Sequence, residues 1–599
     1  MTRNFEIQGS LRLICTTDLH MAIDGSRLLA DGVDNAGLAA LAPAIAAARA
    51  EVKHSLLFDI GDAFQGSALT DDLEPDAAHP MQQAFDMLGY DAQTLGNHDL
   101  DFGLDALEHV LKGGRIPMIC ANLLCPMGQP LFDPYRILEV PFNDTILRVG
   151  ITGVVPPRVM RWNGHHLRTR VRVSDSVDAV RGVLPELRAA GADIVVVLAH
   201  SGIVPIDHAD LDEQAALPIA NLDGVDVVLC GHQHRVFPGP DFPPADGIDP
   251  IAGTLNGTPA IMAGSSGQRI GVLDLSLAHD GKCWSVCAHR ASFRRAAPQR
   301  DPAITAIAAP HVARTRARLA EPIGRTPYPL CTVFAAVADS RAVRAVQAAY
   351  LDAGRRALDT ELPLLAVSSP YRTGGRSGPE AYTSLPAGTL YHSAISDLCP
   401  FANRIIAVEA TGAQMIDWLE MASLHLGHLH SDQPTQPLIN PEMPGYNFDA
   451  ALGLTYRIDP TQPPRFCVSG ALIDPSARRI VDIRHGGAPL DPAQRFAVIT
   501  SSYRVSGGGN FPGLSDLRIL HDGIGTMSDL VTRWISASPD GIEVPPPSWQ
   551  LSPSSTVRAT YRTGAGRPSQ DVLPHQLVSA GVTAEGWHDW DVTLNPLED

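Results

Sequence analysis

Four short stretches in the first half of the chain gather side chains able to bind a cation or move a proton. They are Thr17-Asp18-Leu19-His20, Gly61-Asp62-Ala63-Phe64-Gln65-Gly66, Gly96-Asn97-His98-Asp99-Leu100-Asp101 and Gly231-His232-Gln233-His234. A fifth, Leu198-Ala199-His200-Ser201-Gly202, lies between the last two. Asp, Asn and His supply the oxygen and nitrogen donors that suit Mn, Zn, Fe or Co. In extended backbone an Asp-x-His pair points both side chains the same way, as ligands of one metal require. Glycine beside most of these groups permits turns tight enough to bring ligands from separate strands together. Singly, each piece has a plain structural explanation: a helix cap for Asp62, a satisfied core histidine for His200, loop polars for His232 and His234. Five such pieces in one order, mostly following apolar runs, point to a metal centre.

The elements around them read as α/β. Leu11–Cys15, Ser55–Phe58, Met118–Ala121, Ile146–Ile151, Ile194–Leu198 and Val227–Cys230 are apolar runs of strand length. Ala36–Val52, Met81–Leu88 and Ser174–Ala190 have helical spacing. Continuous apolar strands alternating with helices imply sheets covered on both faces. In such layers ligands gather at the carboxyl ends of strands. The cluster at Asn97 is the exception, with no clear strand before it. From Asp301 to Leu319 the chain reads as an Ala/Arg-rich helix broken by Pro310, and residues 336–540 carry a second α/β pattern. A Ser/Pro-rich tail starts at Val544 and turns amphipathic near Trp587–Leu594.

Composition narrows the class. The chain has 599 residues with 45% hydrophobic and 19% charged, an ordinary globular mix. Its 52 glycines and 49 prolines are aperiodic, which excludes a collagen-like chain. The formal charge of −19 argues against a surface for nucleic-acid duplexes. The nine cysteines are odd in number and form no C-x-x-C, so reduced packing thiols are expected. No apolar run approaches the ~18 residues of a membrane span. The first ten residues lack an apolar leader core, so the expectation is a cytoplasmic protein, with the periplasm as an alternative that only a family resemblance implies.

The order D-x-H, G-D, G-N-H-D, H, G-H-x-H resembles the calcineurin-like metallophosphoesterases. The resemblance implies a four-layer α/β/β/α domain holding two divalent ions, Mn, Zn, Co or Fe. By matching position, Asp18, His20, Asp62 and His234 would bind one, and Asp62, Asn97, His200 and His232 the other, with Asp62 bridging. His98 matches the catalytic histidine, and Asp101 the carboxylate that orients it. Asp99 stands where Glu is common and is not expected to be a ligand. Two metals ~3.5–4 Å apart clamp a phosphoryl oxygen and acidify a water, whose hydroxide attacks phosphorus. His98 as imidazolium would stabilise or protonate the leaving oxygen.

The second half is similar to the 5′-nucleotidase C-terminal domain through Tyr371-Arg372-Thr373-Gly374-Gly375-Arg376, Asp397-Leu398-Cys399-Pro400-Phe401 and Tyr503 to Phe511. That likeness makes Arg376, with Arg372 nearby, the phosphate arginine, and Phe401 and Phe511 the base-stacking pair, with Tyr503 as runner-up. Gly66-Ser67, Arg372 to Pro379, Thr411 to Glu420, Gly445 to Asp449, Ile458 to Pro463 and Gly586 to Trp590 look similar to the bifunctional 2′,3′-cyclic-nucleotide 2′-phosphodiesterase/3′-nucleotidases. The implied organisation is a metallophosphoesterase domain over 1–295, a helical linker over 296–335 and a substrate-binding domain with an extension over 336–599. The implied activity opens 2′,3′-cyclic nucleotides to 3′-nucleotides and then releases phosphate, as in nucleotide salvage. A 5′-nucleotidase, a nucleotide-sugar hydrolase, a sulfur-ester hydrolase and a silent nucleotide-binding protein are the competing expectations. Oligomeric state is open.

Overall fold

The structure, a computed structural model, describes residues 9–28, 32–73, 78–143, 145–205, 211–375, 378–401, 403–433, 435–564 and 577–594. The chain forms two compact units, Met1–Ala317 and Arg318–Asp599.

In the first unit the strands that matter are β1 (Gly9–Thr16), β2 (Ser55–Asp59), β3 (Ala92–Gln93), β4 (Tyr135–Phe142), β5 (Thr145–Val154), β6 (Ile194–Ala199), β7 (Val227–Cys230), β8 (Thr258–Ala263), β9 (Arg269–His279) and β10 (Trp284–Arg295). One sheet has the order β10-β9-β1-β2-β3, with β1, β2 and β3 parallel. The other runs β8-β7-β6-β5-β4, parallel except for β4 and extended past β8 by short strands.

Burial explains the layering. Along β1, Leu11, Leu13 and Cys15 pack with Val196, Leu198, Val227 and Leu229 of the facing sheet. Ile14, pointing the other way, joins helices α1 (Leu38–Ala50), α2 (Pro80–Leu88) and α3 (Gly103–Leu111). Val195, Val197 and Val228 likewise turn outward onto α4 (Ser176–Ala189), whose first turn is capped by Asp175. Strands apolar on both faces thus give four layers, α/β/β/α, because the side-chain period of two serves both cores.

Two expectations need correction. The Asn97 cluster does follow a strand, but β3 has only two residues, too few for a visible pattern. Met118–Ala121 makes only isolated bridges, Gln93 with Met118 and Ile119 with Asp133. A third difference concerns α5 (Pro302–Leu319), which runs through Pro310 unbroken. Its buried stripe of Ile304, Ala308, Val312, Thr315 and Leu319 is anchored on both sides of the proline.

The second unit centres on a mixed sheet of β11 (Leu364–Ser368), β12 (Arg404–Thr411), β13 (Ala450–Leu452), β14 (Arg495–Ser501) and β15 (Arg518–Thr526), in the order β13-β11-β14-β12-β15. Helices α6 (Arg341–Ala357) and α8 (Met527–Ser536) cover one face. Helix α7 (Gly412–Ala422), started by a Thr411/Gln414 capping box, covers the other. A three-stranded sheet of Arg558–Gly564, Trp587–Thr593 and Leu577–Val582 packs Trp590 and Val592 into that same core. Among the described residues no helix is long and apolar enough to cross a membrane.

Candidate metal centre

All five polar clusters meet at the carboxyl ends of parallel strands. Asp18 and His20 follow β1, Asp62 follows β2, Asn97 and His98 follow β3, His200 follows β6, and His232 and His234 follow β7. One ligand atom each from Asp18, His20, Asp62 and His234 lies within 4.8 Å of the other three, and the same holds for Asp62, His200 and His232. Asp62 belongs to both groups. The backbone is strained there: Asp18, His20, Asp62, His232 and His234 have φ of 51, 48, 56, 75 and 57°. Left-handed conformations in non-glycine residues persist where the surroundings over-determine them, and they cluster at functional sites. Asp18 and His20 therefore converge through turns rather than through extended backbone. Gly96 is obligatory at this crossing, since a Cβ on it would fall 2.1 Å from Asp62 Oδ1.

The histidine tautomers are set by neighbours. His20 Nδ1–H donates to Gln65 O at 2.8 Å, and His200 Nδ1–H donates to Ile60 O at 2.6 Å. Each turns its Nε2 inward: His20 Nε2 is 2.9 Å from His234 Nε2, and His200 Nε2 is 3.2 Å from Asp62 Oδ2. His232 is bound the other way round, its Nε2–H donating to Glu213 Oε1 at 2.6 Å, which frees Nδ1. Such outer hydrogen bonds are how proteins orient metal-binding imidazoles. Asn97 Oδ1 is buried with no hydrogen-bond partner, an acceptor that a cation would satisfy. A donor set of N and O atoms with one orphaned carbonyl fits two divalent ions.

Electrostatics point the same way. Burial works to raise Asp18 and Asp62, but the surrounding histidines hold both below the usual carboxylate range, Asp62 well below. Burial lowers His20. Burial would also lower His200, yet the Asp62 carboxylate lifts it to about 9. Both carboxylates thus stay ionised, the form that binds a cation.

His98 stands beside this cluster. Its Nδ1–H donates to Asp101 Oδ2 at 2.8 Å, and its backbone N–H to Asp62 Oδ1 at 2.7 Å. Burial opposes its charge, but Asp101 and Asp62 push it up to about 10. Its side chain is 41% exposed, so a reacting group can reach it.

Three further residues were not apparent from the motifs. Asp99 is 6% exposed and accepts four backbone N–H bonds, from Asp62, Ala63, Phe64 and Gly96 at 2.8–3.0 Å. It fastens the Asp62 turn to the Asn97 turn. Burial first, and the Asp62 charge second, raise it to about 7. Glu213 aligns His232, and Asn163 bonds both Asp101 Oδ1 and Asn97 O. Asp99 lies inside a motif, but its bracing role depends on N–H groups of a separate turn; Glu213 and Asn163 sit in stretches with no motif at all.

In the second unit the candidate residues are more dispersed. Arg372 Nη1 donates to Asp397 Oδ1 at 2.6 Å. Arg376 lies outside the described residues. Phe401 is 44% exposed and meets Tyr371 and Tyr446 edge-on at 5.7 and 6.4 Å, and Tyr446 meets Tyr503 at 6.4 Å. Phe511 offers no free face: it is 4% exposed and covered by the Arg504 guanidinium at 3.9 Å. Arg504 in turn pairs bidentately with Asp449 at 2.7 and 2.9 Å. Of the expected Phe401/Phe511 pair, only Phe401 is thus exposed. Tyr446, in a stretch quoted only for its likeness, takes the place beside Phe401.

Residues 11–236 match the calcineurin-like phosphoesterase family, and residues 335–516 match the 5′-nucleotidase C-terminal domain. The chain is 35% identical over 577 residues to a 2′,3′-cyclic-nucleotide 2′-phosphodiesterase/3′-nucleotidase of Salmonella typhimurium, covering 91% of this chain and 89% of that protein. It is 31% identical to the trifunctional nucleotide phosphoesterase protein YfkN of Bacillus subtilis, covering 93% of this chain but only 40% of that longer protein. A crystal structure of a putative 5′-nucleotidase from Staphylococcus aureus, 18% identical, shares the fold with a TM-score of 0.72 over 90% of this chain and 99% of that one.

Proposed function

This chain belongs to the calcineurin-like phosphoesterases that carry a 5′-nucleotidase C-terminal domain, and on that premise we propose that it converts 2′,3′-cyclic nucleotides to 3′-nucleotides and 3′-nucleotides to nucleosides and phosphate. The observation that carries the reading is Asp62, shared by two donor groups beside the His98–Asp101 pair. Asp18, His20, Asp62 and His234 would hold one divalent ion, and Asp62, Asn97, His200 and His232 the other. The donor types suit Mn, Zn, Co or Fe. Bound there, the pair supplies Lewis-acid charge to the phosphate and lowers the pKa of a water.

The chain's own groups do the rest. Gln65 O and Ile60 O hold His20 and His200 in the tautomer that leaves Nε2 bare. Asp99 fixes the spacing of the Asp62 and Asn97 turns. His98 gives its Nε2 proton to the oxygen leaving phosphorus, while its Nδ1–H stays on Asp101, whose negative charge favours the imidazolium. In the second unit Phe401, Tyr446 and Tyr503 offer aromatic faces to a base, which stacking tolerates whatever its identity. Arg372 and Arg376 offer planar donor forks to a phosphate. The proposed division is a catalytic domain over 1–295, a linker over 296–335 whose helix α5 packs on the core of the first unit, and a substrate-binding domain over 336–599. The nine cysteines are free, two of them exposed, which favours a reducing, cytoplasmic compartment over the periplasm; cell fractionation tests this.

The decisive assay is phosphate release with Mn²⁺ or Co²⁺ from 3′-AMP, 5′-AMP and 2′,3′-cyclic AMP. The expected result is turnover of the 3′- and cyclic substrates over 5′-AMP. Preference for 5′-AMP overturns the substrate assignment and keeps the metal reading. No release from any of them by metal-loaded protein overturns catalysis.

A further inference from the structure

The segment after β5 supplies a residue that the metal motifs do not contain. Asn163 ends the short helix Val159–Trp162 and is 7% exposed. Its Nδ2 donates to Asp101 Oδ1 at 3.0 Å and to Asn97 O at 3.2 Å. Two acceptors converge on one side-chain atom, so that atom must be the nitrogen, and both amide hydrogens are used. Asp101 keeps its other oxygen on His98 Nδ1 at 2.8 Å. The residue before it, Trp162, stacks over His232 at 5.9 Å with 28° between the rings. One short segment therefore braces both sides of the centre.

We infer that Asn163 is a positioning residue for leaving-group protonation, clamping Asp101 so that His98 Nε2 points at the departing oxygen. This rests on the phosphoesterase reading above. In the step concerned a hydroxide oxygen bonds to phosphorus as the P–O bond to the leaving oxygen breaks, the electron pair of the broken bond stays on the leaving oxygen, and the His98 Nε2 proton joins it. Asp101 remains a carboxylate throughout. Without Asn163, Asp101 Oδ1 has lost its amide donor, and the carboxylate is free to rotate and take His98 with it. Outer partners that orient metal ligands contribute about 10–100-fold, and a partner that orients the proton donor is expected to act on the same scale.

The test compares 3′-AMP, whose alkoxide needs a proton, with p-nitrophenyl phosphate, whose phenolate hardly does. Asn163→Ala lowers kcat for 3′-AMP about tenfold and for the p-nitrophenyl ester less than about threefold, with KM within about twofold and metal content unchanged. Asn163→Asp keeps the shape but sets a carboxylate against Asp101 Oδ1 and Asn97 O, so its loss on 3′-AMP is larger, and it carries the test if the alanine variant folds poorly. In an Asp101→Asn background, Asn163→Ala adds nothing further. Equal losses on both substrates, or full additivity with Asp101→Asn, would reduce Asn163 to structural support and overturn the inference. If Asp101→Asn alone shows no leaving-group dependence, the proton-donor reading itself fails, and Asn163 falls with it.

Discussion

The two units hold their candidate residues in opposite ways. In the first, seven ligand candidates are pinned to strand ends, five of them in left-handed backbone, and His20, His200 and His232 have their outer ring nitrogens bonded to carbonyls or a carboxylate. In the second, Phe401 and Tyr446 are exposed aromatics meeting edge to face, and Arg504 braces them from beneath through Tyr446 O at 3.1 Å. The difference matches what each unit would recognise under the proposed function. A cation accepts only lone pairs at fixed distances, so its ligands are over-determined. A base accepts any π-face, so its platform needs area more than register.

Substitutions that separate the two units should show this difference in size. Asp62→Asn, which removes the shared donor, lowers phosphate release at least ~10³-fold, because the metal pair supplies several kcal/mol of charge stabilisation. Metal analysis of the purified variant should show ions lost, while nucleotide binding through the second unit persists. His98→Ala comes next, with a loss of ~10²–10⁴ on 3′-AMP and unchanged metal content. If its metal content falls with activity, His98 is a ligand and not the proton donor.

Asp99→Asn should cost ~10–100-fold, mainly as weaker metal affinity, since an amide cannot accept four N–H bonds. Titrating metal against activity reads this directly, and a wild-type activation curve would leave Asp99 without the bracing role. Phe401→Ala should raise KM for nucleotides about tenfold, within the ~1–3 kcal/mol of one stacked base, and leave p-nitrophenyl phosphate untouched. A matching loss on the base-free ester would place Phe401 in folding instead.

The smallest effect concerns acid stability and touches both units alike. Burial, with His311 and His109 nearby, pushes His79 down to about 3. Burial pushes His425 down to about 4 against its hydrogen bond to Met443 O. Both are neutral in the folded chain above those values, whereas the unfolded chain takes up these protons below ~6.5. Between ~6.5 and those values the unfolded form binds more protons, so stability falls as pH drops through that window. His79→Gln or His425→Gln should shrink the fall by up to ~1 kcal/mol per pH unit, read from urea midpoints near pH 7 and pH 5.

What the sequence disclosed follows the same division. Asp18, His20, Asp62, His98, His200, His232 and His234 were legible because a metal centre confines chemistry to short, recognisable spacings. Sheets covered on both faces were legible from strands apolar on both faces, such as Ile194–Leu198, whereas the four-layer count came only with the family resemblance. Asn163 and Glu213 were not, because a hydrogen bond from a distant loop leaves no local pattern. β3 was too short to have a period, and the buried stripe of α5 outweighed the helix-breaking tendency of Pro310. Phe511 was legible as an aromatic after a glycine-rich turn, but only its contact with Arg504 shows that it is covered.

The central claim is that two ions at these donors carry the hydrolysis, and metal titration tests it most directly. Protein stripped with chelator and reloaded with Mn²⁺ should recover phosphate release from 3′-AMP in step with ion binding, reaching its plateau near two ions per chain. Full activity in the stripped protein, or a plateau at one ion per chain with nothing gained from a second, would contradict the account.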